Sequence, residues 1–151
     1  MNVLIATDGS EPALDAAHRS LTLLRDGARI SLVMVIPDKE DPMATAGGFE
    51  GPVITEEEAE AAFAAANLRG QAALEATRAA VDGDVDVRLI PVDGATGAAI
   101  VEIAAEMSAE VIVIGASGKG FFRRLLSGSV SDYVVHHAHC PVLVVRHDHL
   151  T

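Results

Sequence analysis

Cysteine is nearly absent from this chain of 151 residues: Cys140 stands alone, so no internal disulfide can form and a small stapled extracellular scaffold is excluded. Tryptophan is missing, tyrosine occurs once and phenylalanine four times, which leaves no platform on which nucleic-acid bases could stack. Positive charge is scarce too. Eleven Lys and Arg face 22 Asp and Glu, a net charge of −11 that repels a phosphate backbone in the absence of a concentrated basic patch. DNA and RNA are therefore not expected partners. No apolar run approaches the ~20 residues of a membrane span. The opening Met1-Asn2-Val3-Leu4-Ile5-Ala6-Thr7-Asp8 has no basic region and its apolar run stops early, unlike a signal peptide. A soluble cytoplasmic protein with no membrane partner is the expectation.

What is present is ample apolar material. Half the residues are hydrophobic, enough to close a core without staples, and no linker divides the chain, so 1–151 is expected to form one domain. Short runs rich in Val, Ile and Leu recur at Val3–Ala6, Ile30–Ile36, Val85–Val92, Val111–Ile114 and Val142–Val145. They read as strands covered on both faces. Helical periods lie between them. Ser10 can cap a first helix with Glu11 and Pro12 in its opening turn and Ala13, Ala17, Leu21 and Leu24 facing inward. Thr55 and Glu58 form a capping box before a stripe of Ala59, Phe63, Ala66, Gly70, Ala73, Leu74 and Thr77. The acidic run Glu56-Glu57-Glu58 suits the first turn of that helix, where the dipole favours negative charge. A third helix presents Ile100, Ile103, Ala104 and Met107, and a fourth, starting at Ser129, presents Val130, Tyr133, Val134 and His137.

Strands alternating with helices predict an α/β fold, a five-stranded parallel open sheet with helices on both faces, a Rossmann-like sandwich. In such sheets ligands bind beyond the carboxyl ends of the strands, where the winding reverses. Two loops at that end carry chemistry, and the irregular stretch Asp38–Ile54 is long enough to be functional as well.

The richer of the two runs from Gly115 to Ser129. It leaves a strand at Gly115, passes Ser117, Gly118 and Lys119, and ends with Gly128 and Ser129 at a helix start. Glycines admit close backbone approach, and free N–H groups with the helix dipole favour an anion. Ser129 adds a hydroxyl, while Lys119, Arg123 and Arg124 concentrate scarce positive charge. Each feature alone has a plain reading as turn, cap or solvated surface; the set in this order reads as a phosphate cradle. It is not a P-loop, since Val113 and Gly120 stand where Gly and Ser or Thr are needed. Nor is it the dinucleotide fingerprint, because Arg123 replaces the third glycine.

Gly115-x2-Gly118-x9-Gly128-Ser129 resembles the glycine signature of the ATP-binding branch of the universal stress protein family (UspA-like domains). The opening Val-Leu-Ile-Ala-Thr-Asp-Gly-Ser is similar to that family's first strand and turn, and Cys-Pro-Val-Leu-Val-Val-Arg to its last strand. The resemblance spans essentially the whole chain. It implies strand order 3-2-1-4-5 and a homodimer through Val142–Val145. It also implies ATP, with Mg²⁺ accompanying it, as the ligand. By the same resemblance Asp8 contacts the adenosine end, Val35 lines the adenine pocket, and Gly115, Gly118, Gly128, Ser129 and Val130 hold the phosphates. Ala6, Thr7, Ile114, Ser117 and Lys119 complete the candidate nucleotide-binding set.

Asp8 carries the second loop, directly after the first strand, where a carboxylate suits ribose hydroxyls or an adenine amino group. Its plain reading is an Asx-turn into Gly9. The acidic pair of a phosphoacceptor receiver is missing, and so is the Ser-Gly-Gly-x-Asp-Ser loop of pyrophosphatase-type ATP enzymes. Of six histidines, His136, His137, His139, His147 and His149 crowd the last part of the chain without a standard zinc spacing, so no metal site is expected. Cys140 reads as packed rather than nucleophilic, and no nucleophile elbow occurs. Catalytic residues are not assigned. Fast phosphoryl transfer needs positioned metal ligands and an oriented nucleophile, which this pattern lacks. The expected function is a nucleotide-dependent sensor or regulator in stress response. The alternatives are a slow ATPase and a stress domain that only dimerises or docks partners.

Overall fold

The computed structural model describes residues 1–37, 55–81, 83–92, 94–116 and 130–146. The elements are β1 (Asn2–Ala6), α1 (Glu11–Ser20), β2 (Arg29–Pro37), α2 (Glu56–Ala79), β3 (Val85–Val92), α3 (Thr96–Glu106), β4 (Val111–Ala116), α4 (Val130–His137) and β5 (Val142–Arg146). All strand pairs are parallel and the order is β3-β2-β1-β4-β5, as the resemblance implied.

Alternation along each strand divides the core into two layers. On one side Val3, Ile5, Leu32 and Val113 pack with Ala16 and Ala17 of α1 and Leu74 of α2. On the other side Leu4, Ala6, Val33, Ile112 and Ile114 pack with Ile100, Ile103 and Ala104 of α3 and Val134 of α4. Leu4, Ile5, Leu32 and Ile112 are wholly buried. Burial of each such side chain contributes roughly 1.5–3 kcal/mol.

Helix starts follow the sequence closely. The Ser10 hydroxyl accepts the Ala13 N–H and proline stands in the first turn of α1. At α2 both halves of the capping box form, Glu58 N–H to Thr55 Oγ1 at 3.2 Å and Thr55 N–H to Glu58 Oε2 at 2.8 Å. Those Thr55 hydrogen bonds hold the Glu58 carboxyl below its ordinary range. Without a glycine, α3 ends by turning Ser108 left-handed, with φ of 51°. The Ala109 and Ser108 amides then reach back to the carbonyls of Ala104 and Ala105.

Several inward faces differ from expectation. α1 stops at Ser20 and tightens into a 3₁₀ turn over Leu21–Leu23, so Leu21 and Leu24 are only half-buried while Ala16 and Ser20 are buried. On α4 the buried residues are Ser131 and Val134; Val130, Tyr133 and His137 are exposed. Tyr133 rides over the bare Cα of Gly97 on α3 and stacks its ring on His137, with centroids 3.9 Å apart. In α2 only Gly70, Leu74 and Thr77 of the expected stripe are buried; Phe63, Ala66 and Ala73 are half-buried and Ala59 is exposed. Asp38–Ile54 lies outside the described residues.

Candidate functional site

With α1 and α2 on one face and α3 and α4 on the other, the winding reverses between β1 and β4. Their carboxyl ends lie side by side there. Ala6 is flanked by Ile114 on β4 and Val33 on β2. Ala6 and Ile114 share the α3–α4 face, and Val35, two residues beyond Val33, is half-buried on that same face. The structure thus brings together Ala6, Ile114 and Val35, three of the expected ligand-lining residues.

Thr7 extends the ladder by one bond, its N–H donating to the Val33 carbonyl at 3.0 Å. Its side chain turns to the opposite face, where its hydroxyl lies 2.9 Å from that of Thr77 on α2, both buried. Beyond it the chain leaves the sheet in a turn tied by its own side chains. Gly9 N–H donates to Thr7 Oγ1 at 3.1 Å, and Ser10 N–H donates to Asp8 Oδ1 at 2.9 Å. Asp8 therefore does make the Asx-turn. Its carboxylate is exposed and only Oδ1 is committed to that turn. Gly9 is required twice. Its φ is +74°, and a Cβ there would stand 2.3 Å from Cβ of Ala73 on α2.

The end of β4 differs from the sequence reading. Gly115 and Ala116 belong to the strand, paired with Val145 and Arg146 of β5, rather than opening the loop. A Cβ on Gly115 would lie 2.9 Å from the carbonyl oxygen of Pro12 and 3.2 Å from Cα of Ala13. Its missing side chain admits the first turn of α1 against the sheet. Val130 opens α4 and is exposed. Ser117, Gly118, Lys119, Gly128 and Ser129 lie outside the described residues.

Thr77 is the residue that sequence reasoning placed but did not use. It stood on the inner stripe of its helix, and a hydroxyl on an otherwise apolar stripe must find a partner. The other constellations contribute little. Burial pushes the Cys140 thiol up, away from thiolate chemistry. Among the described residues no group of three His, Cys, Asp or Glu is placed to hold a metal, and no helix is long and apolar enough to cross a membrane. A cleft of about 490 Å³ opens at the opposite, amino end of the sheet. Its charged walls, Arg29, Asp84, Asp86 and Arg88, are exposed, and Arg88 Nε already donates to Asp86 at 2.7 Å. The crevice at the reversal point, by contrast, is where open α/β sheets take ligands.

Fold and crevice together define a doubly wound parallel α/β protein of the 3-2-1-4-5 order. The chain belongs to the universal stress protein family, whose model matches residues 1–146. It is 30% identical over 149 residues to a universal stress protein of Methanocaldococcus jannaschii, covering 95% of this chain and 81% of that one. A putative universal stress protein of Staphylococcus aureus is 35% identical over 152 residues, with 99% and 86% covered. Among solved structures the fold is shared with UspA of Lactobacillus plantarum, at a TM-score of 0.70, 21% identity and 97% of each chain covered. It is also shared with a universal stress protein in complex with cAMP, at a TM-score of 0.63, 24% identity and 98% of each chain. A third, from Archaeoglobus fulgidus in complex with dAMP, has a TM-score of 0.59 and 22% identity, with 95% of this chain and 96% of that one covered.

Proposed function

We propose that this chain binds an adenine nucleotide, ATP with Mg²⁺, at the reversal between β1 and β4, and serves as a nucleotide-dependent sensor or regulator in stress response. One observation carries the reading. An exposed carboxylate, Asp8, follows directly on the strand end where Ala6 lies between Val33 and Ile114, and β4 beside it delivers the glycine-spaced segment. An apolar wall suits a base and an adjacent carboxylate suits ribose hydroxyls. Glycine amides at a helix start suit phosphates. The relatives in complex with cAMP and dAMP support the same ligand class. In this reading Ala6, Val35 and Ile114 line the base, Asp8 holds the ribose end from the turn that Thr7 anchors behind it, and Gly115, Ser117, Gly118, Lys119, Gly128, Ser129 and Val130 take the phosphates. No residue is assigned to catalysis, and hydrolysis is at most slow.

Native purification with mass spectrometry of released nucleotide is the direct test, followed by melting with Mg²⁺-ATP. ATP at a hundred times its Kd stabilises by about 2.7 kcal/mol, a shift of roughly 5–11 °C for a domain of this size. Gly118→Val abolishes that shift. Calorimetry that detects no binding at millimolar ATP overturns the reading. A second reading, a dimer through β5, is favoured by that strand's place at the edge of the sheet with Val142, Leu143 and Val144 only half-buried. Sedimentation as a monomer at high micromolar concentration removes it.

A further inference from the structure

We infer that Thr77, on the helix packed behind the crevice, is a positioning residue for the ribose-binding turn. It acts through a chain of buried hydroxyls on Thr7 and Gly9. The inference rests on the nucleotide reading given above and adds a residue 70 positions away from the turn it governs.

The hydrogen-bond directions follow from proton counting. Thr77 Oγ1 donates to the Ala73 carbonyl one helical turn earlier, at 2.8 Å. Its only proton is thereby spent, so at the 2.9 Å contact it must accept from Thr7. Thr7 Oγ1, having given its proton to Thr77, accepts the Gly9 N–H at 3.1 Å. The chain therefore runs Gly9 N–H to Thr7 O–H to Thr77 O–H to Ala73 C=O, each hydroxyl both donor and acceptor. Reversing it strands the Thr7 proton in a buried site, because among the described residues its oxygen is flanked only by the Gly9 donor and a Thr77 hydroxyl already pointing at it. Thr77 is 0% exposed and Thr7 7%, so water does not substitute for a missing partner. Such chains strengthen bond by bond in a dry setting.

A hydroxyl inside a helix earns nothing for the helix itself, where back-bonding to the preceding turn is neutral to unfavourable. Its use here is to receive Thr7. The same seat is marked by Gly9, whose Cα lies so close to Ala73 that no side chain fits between them. The helix stretch Ala73–Thr77 is thus the surface on which the turn rests, by contact at Gly9 and by hydrogen bond at Thr7. Asp8 sits between those two anchors, and with Oδ1 bound to the Ser10 amide its other oxygen takes a set position. Removing the Thr77 hydroxyl releases Thr7, then the Gly9 amide, and so the aim of Asp8.

The test compares Thr77→Val, which keeps the shape and loses the hydroxyl, with Thr77→Ser, which keeps the hydroxyl. Affinities for ATP and for 2′,3′-dideoxy-ATP are measured by calorimetry. In the natural protein ATP binds about tenfold tighter, the worth of one well-placed charged hydrogen bond. In Thr77→Val the preference falls toward one while binding of the dideoxy analogue hardly changes; Thr77→Ser restores it. Amide exchange at Gly9 and Ser10 accelerates in Thr77→Val alone, without nucleotide present. General loss of stability would weaken both ligands together. An unchanged ATP preference in Thr77→Val, with unchanged Gly9 exchange, overturns the inference. Should Thr77→Val not fold, Thr7→Val breaks the same chain from the other side and must give the same loss of preference. A natural protein that binds neither nucleotide overturns the nucleotide reading itself, an outcome read before any variant is compared.

Discussion

The two strand ends that meet at the crevice are finished by different means. β1 ends in a turn held by side chains: Thr7 reaches across to Thr77, Gly9 donates to Thr7, and Ser10 donates to Asp8. β4 is held by backbone, running on through Gly115 and Ala116 against Val145 and Arg146. Each end carries a glycine pressed against a helix, yet the two glycines answer different needs. Gly9 supplies a left-handed φ and clearance from Ala73, while Gly115 supplies clearance from Pro12 and Ala13 without a left-handed φ. Glycine spacing in a sequence points to a bare backbone; it does not say whether a ligand or a helix fills the space.

That contrast can be broken at its stronger side first. Gly9→Ala adds a left-handed penalty of roughly 1–2 kcal/mol to an overpacking cost of roughly 1–3 kcal/mol. The expected loss of about 3 kcal/mol lowers the melting temperature by roughly 6–12 °C, followed by circular dichroism. A fall below about 2 °C would mean that the turn does not sit on α2 as closely as 2.3 Å requires.

Gly115→Ala comes next. Its strand conformation suits alanine, so only the 2.9 Å approach to the Pro12 carbonyl is penalised, at about 1–2 kcal/mol. The telling measurement is nucleotide affinity beside stability. Loss of stability with affinity kept assigns the bare Cα to α1; affinity lost at full stability returns it to the ligand.

The smallest effect belongs to the amino half of α2, from Glu56 to Arg69, which has no buried residue and is shaped by its cap. Thr55→Ala frays the first turn, seen as faster amide exchange at Glu58, with global melting moved by less than about 2 °C. Acid does the same. The Glu58 carboxyl is held below its ordinary 4.5 in the folded chain, so its contribution is complete above that value and fades as the pH falls through the lowered one. Glu58→Gln removes this acid sensitivity of the first turn.

Much of this was legible in the sequence. Strands buried on both faces are nearly continuous apolar runs, so Val3–Ala6 and Val111–Ile114 could be read directly. The Ser10 cap and the Thr55–Glu58 box are contacts within three residues, and chain connectivity alone brings them together. Failures came where another element intervened. Val130, Tyr133, Val134 and His137 have the spacing of an inward stripe, but of these only Val134 is buried, and α4 buries Ser131 beside it. Gly115 and Ala116 read as loop because the apolar run had ended, whereas β5 was still available to pair with them. The strand order came from family resemblance, since no period within a segment encodes its neighbour.

By itself the sequence determined which segments become strands and helices, where the helices start, and that a carboxylate and a glycine-spaced segment follow two of the strands. These are local matters of periodicity, capping and backbone freedom. Only the tertiary structure shows β1 and β4 paired, so that the strand ends before Asp8 and at Gly115 lie side by side. It alone revealed that Thr7, 70 residues from Thr77, gives its proton to Thr77, while Thr77 gives its own to Ala73. The physical reason is that a hydrogen bond or a close glycine contact between distant segments leaves no periodic trace. It exists only once the hydrophobic layers have brought helix and turn within reach.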